Sequence, residues 1–190
     1  MRAIIISGGA YFDAKKHIGE GDVVFAADSG YDNAVRMGVR VDYLIGDLDS
    51  IKTKPSPETK VMTFPTDKDA SDTQLCVEYA KKLGASEVVL VCALGGRVDH
   101  MLGNLMLGVT VIDEKQKIFT VADQLVLNEV VGTTVSLIAL EESEVTLTGF
   151  KWLLKNEKLE VGSTQGLSNV VVCVEQKITV HNGKVVCVVI

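Results

Sequence analysis

Asp47 and Asp49, with Asp67, Asp69 and Asp72 a short way on, carry the most chemistry in this chain. The first pair lies in Gly46-Asp47-Leu48-Asp49-Ser50, directly after the apolar run 41–45. The second group lies in Asp67-Lys68-Asp69-Ala70-Ser71-Asp72. No cysteine or histidine falls between the two, so the local donors are oxygens. Oxygen donors suit a hard cation such as Mg2+, which takes one or two carboxylates and completes its shell with water and substrate phosphates. In an extended segment, residues two apart point to the same side. Carboxylates that close resist joint ionisation unless a counter-charge is present. The same string can also close a loop through Asx turns, and D-x-D alone leaves both readings open. Three more carboxylates at the start of a helix exceed what the helix dipole uses, at about 0.3–1 kcal/mol each. Together the two groups favour a metal and phosphate site over a solvated acidic face. Lys68 either neutralises a phosphate or pairs with a neighbouring aspartate.

Gly95-Gly96-Arg97-Val98-Asp99-His100 is a third candidate. Two glycines after a strand let the backbone approach a ligand, and the following helix offers free N–H groups to an anion. The guanidinium of Arg97 matches a phosphate. Asp99 reads as an N-cap or a ligand contact, and His100 as a structural residue before a general base. Ser7-Gly8-Gly9 lacks the G-x-G-x-x-G pattern and serves equally as an ordinary turn. The polar loop 162–169, Gly-Ser-Thr-Gln-Gly-Leu-Ser-Asn, is a plain connection or a set of hydroxyl and amide groups for a small polar ligand.

These residues need elements to hold them. Apolar runs at 3–6, 23–27, 41–45, 61–64 and 87–93 read as strands. Helices are expected at 11–18, 31–37, from Asp69 or Ser71 to 83, and over 99–112, with Gly38 as a C-cap. Leu102, Leu105, Met106 and Val109 lie at helical spacing in the last of these. Strand and helix alternation implies a parallel sheet, and ligands then gather beyond the carboxyl ends of its strands, where Asp28, Asp47 and Asp49 fall. After about residue 115 the texture changes to short β-rich runs, with Asn182-Gly183 as a hairpin signal before the last. The expected fold class is an α/β N-terminal domain with a parallel, Rossmann-like sheet, spanning 1–120, plus an all-β sandwich over 121–190.

The chain has 190 residues, 47% of them hydrophobic, and a net charge of −6. That length and apolar content support a well-packed core. The acidic balance argues against a nucleic-acid partner, which needs a basic face. No run approaches the length of a membrane span, and residues 3–6 are too few for a secretion signal, so a cytoplasmic location is expected. Cys76, Cys92, Cys173 and Cys187 form no C-x-x-C pair and read as buried free thiols.

Taken in order, the motifs resemble the thiamin pyrophosphokinase family. The matching strings are Ala27-Asp28-Ser29-Gly30, Gly46 to Ser50, Asp67 to Asp72, Gly95 to His100, Lys151-Trp152-x-Leu154 and Gly166-Leu167-Ser168-Asn169. They span nearly the whole chain. The resemblance implies an N-terminal nucleotide-binding catalytic domain and a C-terminal thiamin-binding β-sandwich. It also implies a homodimer with thiamin bound between subunits. The implied reaction moves the diphosphoryl group of ATP to the thiamin hydroxyl and releases AMP, with Mg2+ as cofactor. By position, Asp47, Asp49, Asp69 and Asp72 correspond to the metal and phosphate cluster. Asp28, Lys68, Arg97 and Asp99 fall near the nucleotide, and Ser168 and Asn169 near thiamin. Three positions depart from the family pattern: Ser29 for Gly, Leu48 for Phe and Ser71 for Thr. On this reading Mg2+ offsets the charge of ATP and of the cluster, while Arg97 and Lys68 hold developing charge. Asp69 or Asp72 accepts the hydroxyl proton. Nucleotidyl transfer and a non-catalytic nucleotide- or thiamin-binding regulator are the alternatives.

Overall fold

The structure, a computed structural model, describes residues 1–67 and 69–190; Lys68 lies outside the described residues. Among these, the chain is mostly β, with fourteen strands against three α-helices. Contacts group it into two compact units, Met1–Glu114 and Lys115–Ile190.

In the first unit the elements are β1 (Arg2–Ile6), β2 (Val23–Ala27), α1 (Gly30–Met37), β3 (Tyr43–Gly46), β4 (Lys60–Thr63), α2 (Asp72–Lys82), β5 (Glu87–Val91), α3 (Val98–Met106) and β6 (Thr110–Ile112). The six strands are parallel, in the order β6-β5-β1-β2-β3-β4. The apolar runs are nearly continuous because both sheet faces are covered. Ile4, Ile6, Val24, Ala26, Leu44 and Val89 pack with Tyr31, Ala34 and Met37 of α1. Ile5 and Phe25 alternate with them, and α2 packs over β1, β2 and β3 with Cys76, Val77 and Ala80 buried. Each fully buried Ile, Leu or Phe side chain contributes about 1.5–3 kcal/mol.

The chain builds outward from β1 through β2, β3 and β4, then returns to the other side of β1 as β5 and β6. The strand order therefore reverses between β1 and β5. At such a point the loops after the two strands diverge and leave a crevice at the carboxyl edge. Gly38 closes α1 in the left-handed conformation, with φ +67°, as its spacing predicts. Ser71 caps α2, its hydroxyl accepting from the Gln74 N–H at 3.2 Å.

Two helical expectations change. Residues 11–18 contain only a three-residue 3-10 turn at Lys15–His17. The last helix stops at Met106, Gly108 adopts φ +70°, and 110–112 form β6 instead. Moreover, Val98, Leu102 and Met106 are exposed along α3; its apolar spacing does not mark a buried face. Asn104 is the buried residue of this helix, and its Nδ2 donates to the Ala93 carbonyl at 2.9 Å.

The second unit holds β7 (Lys117–Val121), β8 (Gln124–Leu127), β9 (Thr134–Ala139), β10 (Ser143–Thr148), β11 (Glu157–Leu159), β12 (Asn169–Val170), β13 (Gln176–Asn182) and β14 (Val185–Val189). Its strands pair antiparallel in two sets, β12-β9-β14-β7 and β11-β10-β13-β8. Val135, Leu137 and Cys187 from the first set share one core with Val145, Leu147 and Ile178 from the second. The Asn182-Gly183 signal does not make a hairpin. β13 pairs with β10 and β8, whereas β14 pairs with β7 and β9, so the dipeptide is a corner between the two sets. Gly183 lies against residues 142–143, where a Cβ would stand 2.5 Å from the Glu142 carbonyl oxygen. Of the four cysteines, three are buried and Cys173 is exposed, which corrects the expectation for that residue.

Candidate functional site

The first site is assembled where the parallel strands end. β2 runs into Asp28, and the Asp28 N–H donates to the Ile45 carbonyl at 2.9 Å, which ties this turn to β3. β3 ends at Gly46, and Asp47 to Ser50 follow. The carboxylates of Asp28, Asp47 and Asp49 each place an oxygen within 4.8 Å of the others. Asp47 and Asp49 do not converge through an extended segment. Leu48 between them has φ +66°, and the Asp49 N–H donates to Asp47 Oδ1 at 3.2 Å. The turn and the shared carboxylate face are thus the same structure. Leu48 packs against the core below, so an aliphatic side chain serves at this position. Ser50 Oγ donates to Asp49 Oδ1 at 2.7 Å and holds that carboxylate in place.

Asp28 is the strained member of the group. Its φ is +44°, and one carboxyl oxygen is buried without a hydrogen-bond partner. Burial raises its pKa, and the negative charges of Asp72, Asp47 and Asp49 push it further up; the Ser29 N–H acts against them. Left-handed conformations in non-glycine residues store strain and gather at functional sites. Here Asp28, Leu48 and Cys92 adopt them just beyond β2, β3 and β5.

A cleft of about 290 Å³ opens beside this group. Ser7, Gly8 and Gly9 line it after β1, Asp28 and Ser29 after β2, and Gly95, Gly96, Arg97 and His100 after β5, with Ser71, Asp72 and Thr73 from the head of α2. The cleft therefore occupies the reversal between β1 and β5 and its neighbouring strand end. The two glycine loops run together: the Gly9 N–H donates to the Cys92 carbonyl and the Ala10 N–H to the Leu94 carbonyl, each at 2.8 Å. Gly9 must be glycine for this approach, since a Cβ would stand 2.5 Å from both carbonyl oxygens.

Arg97 is exposed at the rim and forms a two-point ion pair with Asp99, at 3.1 Å from Nε and 2.5 Å from Nη2. The Arg97 hydrogen bond, aided by the His100 N–H, holds the Asp99 carboxyl down at about 2. Asp99 thereby orients the guanidinium, which keeps N–H donors beyond those two bonds. Of the residues expected to hold metal, the described structure brings together Asp47 and Asp49. It adds Asp28, expected as a nucleotide contact, and places Asp72 on the cleft wall. Asp67 and Asp69 are exposed and stand outside the three-carboxylate group. The signal for Asp28 in the group was available as its position at a strand end, next in the sheet to the strand bearing Asp47.

A second pocket, of about 510 Å³, lies in the other unit. Leu147, Trp152, Leu153, Leu154, Gly166, Leu167, Ser168 and Asn169 line it. Trp152 and Leu153 are exposed at its edge. Asn169 is buried and commits its amide to the chain. Its Nδ2 donates to the Trp152 carbonyl at 2.7 Å, and its Oδ1 accepts from the Trp152 and Val170 N–H groups at 3.1 and 2.9 Å. Ser168, at φ +60°, is held by a 2.9 Å bond from its N–H to Ser136 Oγ. Sequence reasoning assigned ligand contact to Ser168 and Asn169 and gave none to Trp152. The geometry makes Asn169 the residue that sets the Trp152 backbone.

Comparisons agree on both halves of the chain. The profile for the thiamin pyrophosphokinase catalytic domain matches residues 14–120, and that for the thiamin pyrophosphokinase vitamin B1 binding domain matches 123–186. Thiamine pyrophosphokinase of Bacillus subtilis is 28% identical over 162 residues, covering 75% of each chain. Thiamine pyrophosphokinase 1 of Arabidopsis thaliana is 26% identical over 176 residues, 78% of this chain and 64% of that one. Among solved structures, the Bacillus subtilis thiamine pyrophosphokinase superposes with a TM-score of 0.89 at 24% identity, covering 99% of this chain and 98% of that one. The thiamin pyrophosphokinase of Geobacillus thermodenitrificans gives 0.88 at 25% identity, with coverage of 100% and 97%.

Proposed function

Because the chain belongs to the thiamin pyrophosphokinase family, we propose that it transfers the diphosphoryl group of ATP to the hydroxyl of thiamin, giving thiamin diphosphate and AMP. The observation that carries this reading is the cleft at the strand reversal with three carboxylates at its edge. The parallel unit is read as a Rossmann-like nucleotide fold, and residues 121–190 as the thiamin-binding domain.

The donor set of Asp28, Asp47 and Asp49 fits Mg2+: all its ligands are oxygens, and the unpartnered Asp28 oxygen and raised pKa call for a counter-charge. When bound, Mg2+ neutralises phosphate charge and polarises the phosphoryl oxygens. The chain supplies the rest. Gly8, Gly9, Gly95 and Gly96 bring backbone close to the polyphosphate, and Arg97, oriented by Asp99, holds charge on its oxygens. The thiamin hydroxyl oxygen bonds to the β-phosphorus, the bond from that phosphorus to the α–β bridging oxygen breaks, and AMP leaves with that oxygen. Asp72, on the cleft wall, is the residue we assign to take the hydroxyl proton. Phosphoryl transfer needs little covalent help, so positioning and electrostatics dominate the rate.

Thiamin is assigned to the second pocket, with its rings against Trp152 and Leu153. The exposed stripe of Val98, Leu102 and Met106 supports a homodimer, and the reading extends to a cytoplasmic location; separately, no helix among the described residues is long and apolar enough to cross a membrane. The test is a product assay with ATP, thiamin and Mg2+. Thiamin diphosphate with one AMP per turnover supports the reading. Pyrophosphate release would point to nucleotidyl transfer, and tight ligand binding by folded protein without product would point to a regulator.

A further inference from the structure

Residues 29 and 30 differ in what they can hold. Gly30 has no room for a side chain, since a Cβ would stand 2.0 Å from the Ile6 carbonyl oxygen. Ser29 has φ −57° and ψ −11°, an ordinary right-handed conformation that any residue adopts. The backbone therefore does not require glycine at 29.

Ser29 occupies the N-cap position of α1, where a serine hydroxyl usually accepts from an N–H of the first turn. It makes no such bond. Its hydroxyl instead lies over Gly8 on the cleft wall: a Cβ at position 8 would come within 2.2 Å of Ser29 Oγ and 3.4 Å of Ser29 Cβ. The space that a side chain on residue 8 would take is the space that the Ser29 hydroxyl uses. Both residues line the cleft, and Asp28 with its carboxylate neighbours stands immediately before Ser29.

We infer that Ser29 is a nucleotide-binding residue of this chain, its hydroxyl donating to a phosphate oxygen in the cleft, with Gly8 kept small to admit it. The inference rests on the nucleotide reading of this cleft. A hydroxyl is suited to the task because it donates to an anion without adding charge beside the carboxylate group.

The test uses this chain in four forms: natural, Ser29→Ala, Gly8→Ala and the double variant. ATP affinity is measured by calorimetry without thiamin, and kcat and KM for each substrate by thiamin diphosphate formation. Loss of one such hydrogen bond to a charged oxygen raises the Kd and KM for ATP by about 10- to 100-fold. The KM for thiamin stays unchanged and kcat within about twofold, a split that a merely structural role for Ser29 would not give. Gly8→Ala crowds both the hydroxyl and the backbone approach at residue 8, so it weakens ATP at least as much, and in the double variant the two losses come to less than their sum. Ser29→Ala with the ATP affinity of the natural chain would overturn the inference, and so would an equal loss for thiamin. A natural chain that forms no thiamin diphosphate yet shows the Ser29-dependent ATP affinity would instead overturn the reaction and leave the contact standing.

Discussion

The α-carbon of Gly46 packs directly against Asp28: a Cβ at position 46 would stand 2.9 Å from the Asp28 Cβ and 3.1 Å from its Cα. This contact, between the ends of β2 and β3, sets how near Asp47 and Asp49 come to Asp28. The obstructing atoms include backbone, so no rotamer change relieves a larger residue. Overpacking of this kind costs about 1–3 kcal/mol. Gly46→Ala should lower Tm, shrink the Tm gain on adding Mg2+, and cut turnover by about 100-fold through misplaced ligands. Thermal melts with and without Mg2+, beside initial rates, read all three. A variant with full activity and an unchanged Mg2+ response would show that the carboxylate spacing does not matter.

Asp28 is held with its charged form disfavoured, by burial first and by Asp72, Asp47 and Asp49 after it. A carboxyl whose folded pKa is raised destabilises the fold above that pKa, and neutralising it relieves the cost. Asp28→Asn should therefore raise the Tm of metal-free protein at neutral pH while abolishing most of the Mg2+-induced shift. The two signs are opposite, which separates a charge effect from general damage. A lower metal-free Tm together with a retained Mg2+ shift would contradict the assignment of Asp28 to the ion.

Much of this site could be read before the fold was known, because chemistry-bearing residues sat at the ends of apolar runs. The strand ends expected after 27 and 45 placed Asp28 and Asp47 on one edge of a parallel sheet, where the structure has them. What spacing could not give was the local path. Asp47 and Asp49 meet through a left-handed Leu48, a conformation that costs energy in isolation and that tertiary packing imposes. Asn182-Gly183 reads as a hairpin locally, but β13 and β14 belong to different strand sets, a fact carried by their distant partners. The helix expected to reach residue 112 ends at Met106, because Gly108 turns left-handed and 110–112 pair with β5. Trp152 stood in one of the matching strings without a role, since that role depends on Asn169, which lies beside it only in the folded chain.

The Asn169 amide makes three bonds around Trp152 and Val170. Asn169→Ala removes them and leaves partly buried backbone groups to water, at about 1 kcal/mol. Trp152 is the single tryptophan, so fluorescence reports this one position. Asn169→Ala should raise acrylamide quenching of the emission and increase KM for thiamin, with KM for ATP unchanged. Equal effects on both substrates would mean that the loop does not act on one site.

Asp32 on α1 accepts from the Lys52 and Thr53 N–H groups, each at 2.9 Å, and so fastens the segment that follows the acidic turn. Although burial opposes it, the bonds from Thr53 and Lys52 and the Lys52 charge lower the Asp32 pKa below 3.8. A carboxyl lowered in the folded state stabilises above its unfolded pKa, and that stability disappears as pH falls through the folded value. Asp32→Asn keeps one acceptor oxygen but loses the charge, so it should cost about 1 kcal/mol at pH 7, discounted for partial exposure. The gap between the natural chain and the variant should hold from pH 7 to about 4.5 and narrow as pH falls below the ordinary carboxylate value toward the lowered folded one. Urea unfolding at stepped pH measures it. A gap that widens on acidification would mean that Asp32 is not the charged acceptor holding the 52–53 backbone.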